Sequence, residues 1–390
     1  FSVVKLSSYR SDSSVAGGGG GASSTGSGCY PHSEYHGGGN KTYRHKGRSK
    51  SATCKYVDDK PKKKKKSSAA DSSSSSNSVS LASIPNTIKL SMLNSGLLPL
   101  SVGPNGVISG DKKIPKECFV KHCDQRRKYP VLYKLEFQAA VKVETHSCRH
   151  ASKPNNKEKN QNPKCIAYDY NRVVLDQLPN VPDSDYINAS YVDSLLKPNA
   201  YIVTQGPTEN TVNDFWRMIW QENACCIVML TKTFDFIKVM CIQYWPSAKV
   251  NSENYGDLNI SVLHEEELAN FHIRTIQVVK KQGTNEEETR TLLQFHYTEW
   301  PCHTCPFSNA ILEFRRRMRA VVGSRLQHDN PIVVHCNDGG GRSGVYLSID
   351  ANLELAEEED CYDVFGYLKT LRQSRKGMVE TLVIVVHTYT

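Results

Sequence analysis

The sequence predicts an α/β protein with a large mixed sheet flanked by helices, preceded by a disordered tail. Three observations carry that expectation. From about Ile114 onward, strand-like apolar runs interleave with helical patterns, the arrangement of an α/β fold. All four tryptophans (Trp216, Trp220, Trp245 and Trp300) lie in that same part. An apolar run, Pro331 to Val334, then leads through a glycine-rich turn into helical spacing from Val345 to Leu355.

The first 110 residues differ from the rest. Of the chain's 49 Lys+Arg and 40 Asp+Glu, residues 1–110 hold 15 and 5, leaving 34 and 35 for the remainder, so the basic character is N-terminal. Gly17 to Gly21, Ser72 to Ser76 and Lys62 to Lys66 cannot bury enough apolar surface to offset chain entropy, which reads as a disordered Ser/Gly/Lys-rich tail, with residues 81–114 a mixed linker. The lysine run reads as solvated charge, or as a nuclear-localisation-like or anionic-lipid-binding patch. The chain of 390 residues begins at Phe1, as a fragment or gene-model product does, and holds no apolar run long enough to cross a membrane. Its 13 cysteines lack a repeating spacing, which suits a reducing compartment and a cytoplasmic location.

Along the globular part, residues 115–390, helical patterning covers Phe119–Phe137, Val212–Glu222, Ser308–Val322 and Cys361–Arg375. Strand-like runs cover Ala200–Gln205, Cys225–Thr231, Val239–Tyr244, Ile260–His264, Thr275–Val279, Leu292–Tyr297 and Ile332–His335. The last of these opens into His335-Cys336-Asn337-Asp338-Gly339-Gly340-Gly341-Arg342-Ser343-Gly344. A strand-to-helix turn aims backbone N–H groups and a helix N-terminus at one point, which makes an anion site. A cysteine there has its thiolate stabilised by the helix end and by the nearby guanidinium. The arginine offers a planar fork that matches two phosphate oxygens. Thiolate plus phosphate cradle means phosphoryl transfer through a cysteinyl-phosphate.

Residues from about 115 to 381 resemble the protein tyrosine phosphatase domain. The likeness rests on Asp185-Tyr186-Ile187-Asn188-Ala189-Ser190, Thr204-Gln205-Gly206-Pro207, Asp214 to Trp220, Gln243-Tyr244-Trp245-Pro246, Trp300-Pro301, the Cys336 loop, Asp363-Val364-Phe365 and Leu371-Arg372. The resemblance implies a twisted mixed sheet with helices on both sides, no metal and no cofactor. It implies Cys336 as nucleophile, Arg342 as phosphate clamp and Ser343 as an aid to release of the phosphoenzyme. Asn337, Asp338, Gly339, Gly340, Gly341 and Arg342 become the substrate cradle, and Arg172 a structural arginine.

The departures from the family pattern bear on chemistry. Where the family carries the aspartate that protonates the departing tyrosyl oxygen, this chain has Cys302. Tyrosine is a basic leaving group, with a pKa near ~10, and a thiol is a weak donor. The recognition tyrosine becomes Asn162 and the recognition aspartate Lys164. Asp338 stands where a small neutral residue is usual; aimed at the cradle it opposes a dianionic phosphate and the thiolate, and aimed away it only caps a turn. The glutamine that positions hydrolytic water falls on Ile384, in a stretch that reads as a truncated or misread terminus. Cys302-His303-Thr304-Cys305 has the spacing of half a zinc site or of a redox pair, though two thiols on a drifted loop is the plainer reading.

These losses resemble those of the membrane-distal second domain of receptor-type tyrosine phosphatases, with a likeness to an insect neuronal receptor of the axon-guidance kind. Two function classes follow. One is a phosphatase of phosphotyrosyl proteins with strongly impaired turnover. The other is a silent regulatory module that binds a sister phosphatase domain or another partner. Oxidation of an ionised Cys336 fits either. No nucleic acid is implied, and membrane contact comes only through segments of a longer parent.

Overall fold

The computed structural model describes residues 100–102, 108–110 and 113–381, except 143–144, 236, 248, 283–285, 302–307, 324–329 and 380. The chain divides into units of residues 1–73 and 74–390, and every described residue belongs to the second. The predicted disordered tail therefore lies almost wholly outside the described residues. Inside the stretch read as tail and linker, Leu100–Val102 and Ile108–Gly110 pair antiparallel.

The centre is a nine-stranded sheet. Its strands in chain order are β1 (Arg172–Val174), β2 (Tyr186–Val192), β3 (Tyr201–Thr204), β4 (Cys226–Met229), β5 (Glu253–Tyr255), β6 (Leu258–Glu267), β7 (Phe271–Gln282), β8 (Glu286–Tyr297) and β9 (Ile332–His335). Their spatial order is β5-β6-β7-β8-β4-β9-β3-β2-β1. The middle strands β8, β4, β9 and β3 run parallel, and antiparallel arms extend on both sides. This is the mixed sheet the sequence predicts.

The central strands are apolar on both faces, so successive side chains feed two cores. Val334, Val203, Val228 and Phe295 join one core. Val333, Ile202, Ile227 and Leu292 join the other. The first core lies under helices α1 (Lys116–Lys128), α2 (Val131–Val141), α4 (Ser308–Gly323), α5 (Gly341–Glu358) and α6 (Val364–Ser374). The second lies under α3 (Val212–Gln221), which contributes Phe215, Trp216 and Ile219.

Several boundaries differ from the sequence reading. The pattern Phe119–Phe137 forms two helices, because Pro130 follows Tyr129 and starts α2 instead of continuing α1. The run Val239–Tyr244 is no sheet strand. Only Lys238–Val239 pairs, with Phe234–Asp235, and the backbone beyond bonds to loops: Cys241 N–H donates to Thr233 O and Ile242 N–H to Pro207 O. The last helix starts at Val364, where Asp363 accepts the Gly366 N–H at 2.9 Å. Cys361–Tyr362 instead pairs with Ile114–Pro115. The arms β7 and β8 run 12 residues each, longer than their apolar stretches, because their outer ends are polar.

Candidate active site

Cys336 follows β9 at the carboxyl end of the parallel strands, and α5 begins five residues later. Such a crevice, with a helix N-terminus facing it, is where α/β sheets bind anions. Gly339 has φ +75°, and a Cβ there would collide with the Thr204 carbonyl oxygen, so only glycine fits this turn. Its N–H donates to Cys336 Sγ at 3.3 Å.

The loop is held from behind by side chains. Fully buried Arg375 donates from Nε to Gly339 O at 3.1 Å and from Nη2 to Asp338 O at 3.2 Å. Pulling those carbonyls outward leaves the adjoining N–H groups turned inward. His335 Nδ1 lies 3.2 Å from Cys336 O, and its Nε2 lies 2.8 Å from the Tyr244 hydroxyl. Burial pulls His335 down to about 4, so the ring is neutral, with Nδ1–H donating and Nε2 accepting. Gln294 donates to the same hydroxyl at 2.7 Å.

Arg342 Nη1 donates to Leu230 O at 3.2 Å and to Thr231 Oγ1 at 3.1 Å. One end of the fork is thereby fixed, while the remaining guanidinium donors are left for a ligand. Ser343 Oγ is buried and takes no hydrogen-bond partner among the described residues. Arg172 pairs with the Asp185 carboxylate at 2.6 Å and also donates to the Asp185 carbonyl at 3.1 Å.

The segment carrying Asn162 is fastened to the sheet by the residues that gave the sequence its motifs. Asn188 donates to Cys165 O at 3.1 Å and accepts Ala167 N–H at 3.1 Å. Gln205 accepts Gln161 N–H at 3.0 Å and donates to Lys159 O at 2.8 Å. Asn162 consequently faces the cradle, and its Nδ2 lies 3.0 Å from Asp338 Oδ2.

Asp338 does both things that the sequence left open. Its Oδ1 accepts the Gly340 N–H at 3.1 Å, which caps the turn, and lies 3.8 Å from Cys336 Sγ. The carboxylate therefore stands inside the cradle and engages one of its amides. Beside it opens a cavity of about 610 Å³, lined by Gln161, Asn162, Lys238, Val239, Asn337 and Asp338 among others, with no aromatic wall among the described residues. Two neighbouring thiols are buried: burial pushes Cys165 up to about 12 and Cys241 higher still.

The structure thus gathers Cys336 through Ser343 and Asn162 into one site. Trp300 is buried and Pro301 exposed at the end of β8. Cys302 and its neighbours through Cys305, and the water-positioning site at Ile384, lie outside the described residues. The sequence reading missed Arg375 and Thr231. Arg375 looked like the last residue of a helix, and its partners, two loop carbonyls and the Ser190 hydroxyl, are distant in the chain and leave no sequence signal. Thr231 could have been suspected as the polar residue ending an apolar run beside the loop.

Comparison with known proteins identifies the family. A profile of the protein-tyrosine phosphatase family matches residues 156–390. The chain belongs to that family. It is 42% identical over 227 residues to receptor-type tyrosine-protein phosphatase F of Danio rerio, covering 58% of this chain and 12% of that protein. The same phosphatase of Rattus norvegicus is 38% identical over 250 residues, covering 64% and 13%. Receptor-type tyrosine-protein phosphatase S of Gallus gallus is 38% identical over 247 residues, covering 63% and 16%. The chain thus spans less than a fifth of the length of these relatives.

Proposed function

We propose that the domain acts on phosphotyrosyl proteins through a Cys336 phosphate adduct, with turnover strongly impaired, and that it is the second phosphatase domain of a receptor. The Cys336 thiolate attacks phosphorus, the S–P bond forming as the bond to the tyrosyl oxygen breaks. Arg342 holds two phosphate oxygens, and Ser343 assists release. The tyrosyl oxygen must leave with a proton, and Cys302 replaces the aspartate that would supply it. General acid catalysis is worth roughly 10²–10⁴-fold.

The observation that carries the impairment is the Asp338 carboxylate, 3.8 Å from the thiol and on the Gly340 amide. A fixed negative charge in the cradle opposes both the thiolate and the incoming phosphate. The same observation favours a silent regulatory module for a sister domain or partner protein as the second reading.

Leaving-group dependence tests the pair. Para-nitrophenol departs with little protonation, so para-nitrophenyl phosphate should be cleaved measurably while phosphotyrosyl peptides are nearly inert. Equal inertness toward both substrates removes the enzyme reading and leaves the binding module.

A further inference from the structure

Two substitutions that are 176 residues apart meet in space. Asn162 Nδ2 donates to Asp338 Oδ2 at 3.0 Å. Asn162 is itself oriented, because its Oδ1 accepts the Lys164 N–H at 3.0 Å. That bond fixes the amide so that its nitrogen faces the cradle. The other carboxylate oxygen, Oδ1, accepts Gly340 N–H at 3.1 Å and faces the thiol. Asp338 is therefore held at both oxygens, one by the recognition loop and one by the cradle. A carboxylate attached only to Gly340 could swing out when a ligand arrives; one gripped from both sides must break a charge-assisted hydrogen bond to do so.

The geometry points to Asn162 as a positioning residue that holds the Asp338 carboxylate in the cradle as a built-in anion. The loop is then self-occupied, and a tetrahedral oxyanion binds only by displacing Asp338. Asn162 thus removes the aromatic wall and also keeps the phosphate site closed. This rests on the reading of residues 336–342 as an oxyanion cradle, and the test separates the two.

Tungstate binding to the full chain is measured by calorimetry for the wild type, Asn162→Ala, Asp338→Ala and the double variant. Asp338→Ala should tighten binding by at least ~10-fold, since it removes a like charge at contact distance. Asn162→Ala should tighten it by ~3–10-fold, the range of one ordinary net hydrogen bond, and should add nothing on the Asp338→Ala background. Coupling of that kind is what a double-mutant cycle isolates. Asn162→Ser, too short to reach Asp338 but still able to accept Lys164 N–H, should behave like Asn162→Ala, which separates the grip from the shape of the loop. Equal effects of Asn162→Ala on both backgrounds, or none on the wild type while Asp338→Ala tightens binding, overturn the latch and spare the cradle. Failure of every variant to bind tungstate overturns both.

Discussion

The back and the mouth of the Cys336 loop have opposite characters. Behind the loop, Arg375, His335, Tyr244 and Gln294 are buried and bonded to one another or to loop backbone. Gly339 is packed against Thr204 in a backbone conformation that favours glycine. At the mouth, the recognition loop offers an amide and the cradle holds a carboxylate. The back is part of the core, where an altered residue costs folding energy. The mouth is open to a cavity, where side chains can change without disturbing the sheet. Changes behind the loop should therefore act on folding stability and changes at the mouth on ligand binding, so each region should respond to a different measurement.

Acid should act on the back most strongly. Burial holds His335 at about 4 and His296 at about 3, both below the ordinary 6.5. Both rings are neutral in the folded protein and take up a proton on unfolding once the pH falls below about 6.5. The unfolded state then binds more protons, so stability falls as pH drops from 6.5 toward 4. Between pH 7 and 5 each histidine should cost about 2 kcal/mol, at ~1.4 kcal/mol per pH unit. Urea midpoints across this range measure the slope, and His335→Gln should lower it. An unchanged slope would break the claim that the back of the loop is a neutral buried frame.

Arg375→Met should come next, destabilising the domain by about 2–4 kcal/mol, because the carbonyls of Asp338 and Gly339 lose their buried donor. Tungstate affinity should fall with it, since the loop amides are no longer held inward. Stability from denaturant titration and affinity from calorimetry must both drop. A drop in affinity alone would place Arg375 with the mouth.

Cys302→Asp should raise turnover of a phosphotyrosyl peptide by at least ~10-fold, a conservative part of the acid-catalysis range, and leave the urea midpoint unchanged. No gain would mean that Asp338 blocks the reaction before leaving-group protonation matters.

How much of this was legible in the sequence follows the same division. The strands Ile332–His335 and Cys226–Met229 were plain because burial on both faces demands unbroken apolar runs. The cradle was plain because cysteine, glycines and arginine sit in one continuous turn. Strand β2 was harder. It is almost wholly buried, yet carries Asn188 and Ser190, whose polar side chains fasten the recognition segment and Arg375. The break at Pro130 was readable, and helical periodicity on both sides concealed it. The Asn162–Asp338 contact was not readable at all. Each residue showed as a separate departure, and only the folded chain brings them within 3.0 Å.

The smallest expected effect lies on the border between the two regions. Thr231 is buried at the end of β4, and its carbonyl lies 2.8 Å from His296 Nε2 in the frame. Its hydroxyl meets Arg342 Nη1 at 3.1 Å, beside Leu230 O at 3.2 Å. Thr231→Val keeps the branched shape and removes only the acceptor. Arg342 then keeps one partner of two, and its fork is less well oriented toward an oxyanion. Tungstate binding should weaken by ~3–10-fold, matching a hydrogen bond worth about 0.5–1.5 kcal/mol, and Thr231→Ser should restore it. The urea midpoint should move little, since the backbone contact to His296 survives. If the valine variant binds as well as the wild type, Leu230 O alone aligns the guanidinium. The border between frame and mouth then runs through the backbone, and the fork belongs wholly to the part of the molecule that has kept its structure.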